Sequence, residues 1–95
     1  MALMNKEQVT KLAKFLEGPD GCNFQQSDPN DAKTITWNCD HTARKTIGWL
    51  LIYSSSHDEA EENVAEIQRR DGYCDCEVLF NALGDPDENG MVDWR

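Results

Sequence analysis

The chain has 95 residues, with 9 Lys or Arg against 18 Asp or Glu, a formal net charge of −9. That length holds one domain with a modest core and no second domain. Such acidity repels phosphate backbones, so it argues against direct nucleic-acid binding and suits a hard cation or a protein partner. No run approaches the roughly 18 apolar residues of a membrane span. The opening MALMNKEQVTKLAKFLEG is charged every few residues, with no unbroken apolar stretch for an export signal. A cytoplasmic protein with reduced thiols is the expectation, and the four cysteines would form two disulfides only in an exported chain.

The first predicted element is a helix over Lys6–Glu17. Asn5 is a good N-cap and Gln8 completes a capping box, while Val9, Leu12, Ala13 and Leu16 form one apolar stripe. Gly18 and Pro19 end it, the glycine suited to a left-handed position. Cys22–Gln26 then reads as a strand and Ser27–Ala32 as a turn, with Lys33–Cys39 as the returning strand of a hairpin. Asp40 or Thr42 is placed to cap a helix running to about Tyr53. Its IGWLLIY stretch, 47–53, is apolar on every face, so periodicity alone does not separate helix from strand. The lead-in Ala43–Lys45 and a run of about 11 residues favour helix. Such a helix either meets another chain, as in a homodimer, or is fully buried.

Ser56 and Glu59 repeat the capping pattern and open a helix to about Arg70, with acidic residues first and Arg69 and Arg70 last, as the helix dipole prefers. Its stripe, Ala60, Val64 and Ile67, is thin. Asp71 and Gly72 stop it. Tyr73–Ala82 reads by alternation as a strand, with Cys74, Cys76, Val78 and Phe80 on one side; a short helix capped at Asp75 is the competing reading. Residues 85–95 form a polar tail that Met91, Val92 and Trp94 could pin to the domain, residues 1–84. The sum is class α+β, about three antiparallel strands against about three helices in the order α-β-β-α-α-β.

One constellation carries chemistry. Cys39, His41, Cys74 and Cys76 form two spaced pairs, and three thiolates with one imidazole are a usual closed set for structural zinc. In strands, residues i and i+2 share a face, so each pair could address one ion, although they start about 7 Å apart. Such a staple would stabilise a small core. The same residues also fit buried reduced cysteines with a hydrogen-bonded His41, or a redox-active thiol pair. Cys22 reads as a core residue and His57 as solvent-facing. Asp85–Gly90 carries the D-x-D-x-N-G opening of a calcium loop, but the closing glutamate position falls past Arg95, so a polar turn is the reading. No phosphate loop or nucleophile elbow occurs, and an enzyme is the less favoured class.

The segments GPDGCNF, NCDHT and DGYCDCEVLFN together resemble a family of small bacterial proteins catalogued as domain of unknown function 2695. Its members share a CDHT-like block and a GGYCDCEVL-N block. The resemblance spans Leu16 to about Ala82, and its motif positions fall on Cys39, Asp40, His41 and Thr42, then on Gly72–Leu79 and Asn81. Asp71 stands where the family often has glycine, and the helix ends IQRR where a Trp-Leu pair is common. The resemblance implies a cytoplasmic, bacterial, single-domain protein with no assigned activity. Three functions remain open: a zinc-stapled binding module with Asp40, Asp75 or Glu77 orienting His41, a metal-free module that binds a protein partner or its own copy through Trp49, Tyr53 and the acidic faces, and a thiol redox protein.

Overall fold

In the computed structural model, which describes residues 3–23, 25–27, 30–31, 33, 35–38 and 40–95, helices build the molecule. Helix α1 spans Lys6–Glu17 as expected. The Asn5 side chain accepts the Gln8 N–H at 2.9 Å, and the Gln8 side chain accepts the Asn5 N–H at 2.9 Å. Val9, Leu12, Ala13 and Leu16 face inward. Its end differs from the expectation: Gly18 lies at φ −82° and ψ −179°, so the chain leaves extended and no left-handed glycine is used.

The hairpin is present but minimal. Strand β1, Gln25–Gln26, pairs antiparallel with β2, Ile35–Thr36, in the register Gln25 to Thr36 and Gln26 to Ile35. One further bond, from Asn38 N–H to the Cys22 carbonyl at 2.7 Å, holds its base. Phe24 and Thr34, read as strand residues, lie outside the described residues. Cys22 itself is buried.

Helix α2, Arg44–Tyr53, confirms the helical reading of the apolar run. It is not a fully buried helix: Thr46 and Leu50 are buried, whereas Leu51, Ile52 and Tyr53 are at least half exposed. Helix α3, His57–Arg69, starts at Ser56, whose hydroxyl accepts the Glu59 N–H at 3.2 Å. Its buried face is Ala60, Asn63 and Ile67, with Val64 half-buried. Asn63 was not foreseen. Its amide accepts the Met4 N–H at 2.9 Å and donates to the Glu59 carbonyl at 2.9 Å, so burial leaves it satisfied.

The predicted last strand is overturned, and with it the α+β class and the order α-β-β-α-α-β. Residues 75–82 are helical: α4, Asp75–Glu77, runs into a π-type turn, Val78–Ala82, closed by Leu83 N–H to the Val78 carbonyl at 3.0 Å. Cys74, Val78 and Ala82 recur every four residues and are buried, while Phe80 is 50% exposed. The segment satisfies a four-residue repeat as well as a two-residue one, and packing against α2 and α3 selects the helix. Without a third strand, the two-residue ladder among the described residues is an ornament on a helical core.

The core gathers Leu12 and Leu16 of α1, Leu50 of α2, Ile67 of α3, then Val78 and Leu83. The chain end returns to α1. Val92 is buried and donates its N–H to the Thr10 hydroxyl at 2.8 Å, and the Trp94 indole donates to the Met4 carbonyl at 3.0 Å. Asp87 accepts the N–H groups of Asn89 and Met91 and pairs with Lys6 at 3.0 Å, so the calcium-like stretch is a polar turn. Among the described residues no helix is long and apolar enough to cross a membrane.

Candidate functional site

The first motif block is a tight turn. Asp40 Oδ1 accepts the Thr42 hydroxyl at 2.7 Å and the Thr42 N–H at 3.0 Å, and Oδ2 pairs with Arg44 at 2.6 Å. The Thr42 donors first, and the Arg44 charge beside them, hold the Asp40 carboxyl below its ordinary value. His41 sits inside this turn at φ +63°, exposed, a left-handed conformation that non-glycine residues seldom adopt. Cys39 lies outside the described residues.

The second block begins where α3 stops. Asp71, at the position where the resembled family often has glycine, takes φ +66°. A glycine there would meet no steric penalty. Gly72 donates its N–H to the Ile67 carbonyl at 2.9 Å, and a Cβ on it would stand 2.6 Å from the Ile67 side chain, so a larger residue does not fit. The Asn81 amide closes the block by donating to the Asp71 carbonyl at 3.0 Å. The departure to IQRR also has a local account. Arg69 and Arg70 both pair with Glu66, and the Arg70 guanidinium lies 5.1 Å from the Trp94 ring centre.

Cys74 is extended, at φ −138° and ψ 166°, and Cys76 lies in the helical turn that follows. This change of direction sets the two sulfurs 3.2 Å apart, contact distance, where two strand positions would start about 7 Å apart. Cys74 is buried and Cys76 half-buried. Phe80 packs edge-on against Trp37, ring centres 5.8 Å apart, and so ties the hairpin to this block.

The two blocks meet through the residue between the cysteines. Asp75 donates its N–H to the Thr42 carbonyl at 2.9 Å. Its carboxylate, only 2% exposed, accepts the Thr46 N–H at 2.9 Å and the Thr46 hydroxyl at 2.8 Å. Thr46 is the third residue of α2, whose own N-cap, Ala43, has no side chain to offer. Asp75 therefore caps α2 from 29 residues away. Of Asp40, Asp75 and Glu77, expected as acceptors orienting His41, Asp75 accepts from Thr46, and Asp40 accepts from Thr42 and pairs with Arg44. The overlooked signal was a helix start with Ala at the cap position. Among the described residues no three His, Cys, Asp or Glu side chains converge as metal ligands, so His41 does not join Cys74 and Cys76 in such a group.

A family model described as a protein of unknown function, DUF2695, matches residues 30–81, which contain both blocks and the contacts between them. An uncharacterized protein of Mycobacterium bovis is 36% identical over 81 residues, covering 84% of this chain and 77% of that protein. Uncharacterized proteins of two Mycobacterium tuberculosis strains match to the same extent. No solved structure matches. Matched over more than half of its length, across the paired CDHT and GYCDCEVL blocks, the chain belongs to the DUF2695 family of proteins of unknown function.

Proposed function

We propose that this protein is a small binding module in which Cys74 and Cys76 grip a thiophilic metal ion, zinc, with Cys39 and His41 as the further donors. One observation carries the reading: the Cys74 and Cys76 sulfurs lie 3.2 Å apart in a block that is hydrogen-bonded to the loop bearing His41. Two thiolates on one tetrahedral zinc stand about 3.8 Å apart, given Zn–S bonds of about 2.3 Å. A small side-chain rotation therefore suffices for the pair. His41 is the donor that must turn inward, from an exposed position beside the Asp40 turn. A cytoplasmic, reducing setting keeps the sulfurs available as ligands. Bound metal would fasten the 39–42 loop to the 74–76 turn and shape the surface between them for a partner.

The test is elemental mass spectrometry on protein purified without a polyhistidine tag. About one zinc per chain is expected, lost in Cys76→Ser and weakened in His41→Ala. Absence of metal, with a melting temperature indifferent to chelator, removes the proposal. Rapid alkylation of a single cysteine near neutral pH would assign the sulfurs to thiol chemistry instead.

A further inference from the structure

The residues on either side of Asp75 make a second chemistry available to the same block. Cys74 and Cys76 are both reduced in this structure, with their Sγ atoms 3.2 Å apart. A disulfide holds its sulfurs at about 2.05 Å, so the pair is little more than about 1 Å from bonding distance. The backbone beneath it is held from three directions. The Cys74 carbonyl accepts the Val78 N–H at 2.9 Å, the Asp75 N–H reaches the Thr42 carbonyl, and the Asp75 carboxylate is fixed by Thr46. Closure is therefore left to the side-chain torsions, and a pair placed in this way reacts at a high effective concentration. Bridging across one intervening residue constrains the unfolded chain little, so the bond adds little stability and stays open to reduction. That behaviour suits a switch better than a staple.

Burial assigns the order of events. Cys76 is half-buried whereas Cys74 is 7% exposed, so an oxidant arriving from solvent meets Cys76 first. We infer that Cys74 and Cys76 form a reversible dithiol–disulfide couple, worked by small organic disulfides of the glutathione class, with Cys76 as the attacking sulfur. The Cys76 sulfur attacks one sulfur of the small disulfide, whose S–S bond breaks and releases one thiolate. The Cys74 sulfur then attacks Cys76 in the mixed disulfide, the protein bridge forms, and the second thiolate leaves. Two electrons pass from the protein to the small disulfide, and the two cysteine protons end on the two small thiols it becomes. An excess of small thiol runs the same steps backwards. The couple stands apart from the metal reading, but its use rests on that reading. A bridged pair no longer offers two thiolates, so oxidation withdraws Cys74 and Cys76 from the proposed zinc site.

The experiment equilibrates the whole protein, stripped of metal with chelator, in mixtures of oxidised and reduced glutathione. Remaining thiols are then blocked, and the protein is digested with trypsin without reduction. The peptide 71–95 lies between Arg70 and Arg95 and contains Cys74 and Cys76 but neither Cys22 nor Cys39. In oxidised glutathione it should take no blocking group and weigh two hydrogens less than the dithiol, and excess reduced glutathione should restore the dithiol. In Cys74→Ser, glutathione should stay on Cys76 at least about tenfold longer than in the wild type. Cys76→Ser should take up glutathione at least about tenfold more slowly. A wild-type peptide that stays a dithiol, a bridge to Cys22 or Cys39 instead, or a bridge that reduced glutathione does not reopen would each overturn the inference. That peptide decides the matter even where a variant folds poorly. Added zinc should slow bridging at least about tenfold by occupying the thiolates. Bridging at the same rate with zinc present would strike the metal reading alone, the couple then being supported by the peptide mass.

Discussion

Asp75 supplies from a distant block what Ala43 lacks. One buried oxygen receives both the backbone and the hydroxyl of Thr46, at the end of α2 where unpaired N–H groups and the helix dipole favour negative charge. Asp75→Ala would leave both donors buried and unmet, a cost of about 2–4 kcal/mol. Asp75→Asn keeps an acceptor oxygen and loses the charge, so about 1–2 kcal/mol is expected. Urea denaturation measures both through the midpoint, at unchanged slope. An Ala variant as stable as the wild type would show that the cap carries no weight. The motif residues Asp40, Thr42, Gly72 and Asn81 belong to the same structural set: each makes or permits a contact that shapes a turn.

Helices α1 and α3 were legible because their signals are local. A cap, its reciprocal partner three residues on and an apolar stripe act within a few residues, and Asn5, Gln8 and Ser56 behave as read. Residues 73–82 were misread because their apolar spacing admits both periods, and nothing within ten residues breaks the tie. Helix α2 was identified correctly, but whether its faces were covered was not legible, since exposure depends on where α3 and the 75–82 segment pack. Gly48 makes this testable. With open space at its Cβ, Gly48→Ala should stabilise the protein by about 0.5–1 kcal/mol, raising the melting temperature by a few degrees. Scanning calorimetry would show it. A loss of stability would mean that the α2 face is more crowded than the structure has it.

In the whole molecule, Val92 closes on Thr10 of α1 and Trp94 on Met4 just before it, so the core draws on nearly the full length of the sequence. Around it the surface is acidic, and three carboxyls among the described residues are held below their ordinary values. Thr42 does this for Asp40, Arg69 and Arg70 for Glu66, and Lys6 followed by the Met91 and Asn89 amides for Asp87. A carboxyl with a depressed folded-state pKa stabilises the fold above its unfolded value, and that contribution is lost as pH falls through the folded one. Those ordinary values are 3.8 for the aspartates and 4.5 for Glu66. The melting temperature should therefore hold near neutrality and fall below about pH 4.5. Glu66→Gln should lower it near neutrality and converge with the wild type in acid. Glu66 is half-buried but its partner Arg69 is exposed to solvent, so the Gln effect should be small and should shrink further with salt. A variant curve parallel to the wild type at every pH would remove Glu66 from the account.

Read from its residues alone, the chain is a small acidic protein with two capped helices and an apolar third, and two soft-ligand motifs more than thirty residues apart. Those properties follow from charge, from caps and from stripes, which operate between near neighbours. Packing settled the rest: that residues 75–82 coil, that Asp75 reaches Thr46 across 29 positions, that two sulfurs come within 3.2 Å, and that one face of α2 stays bare. Each depends on which distant segment lies alongside. A local pattern carries no record of that neighbour, because the same side chains serve a strand or a helix, a buried face or an open one, until the partner surface is in place.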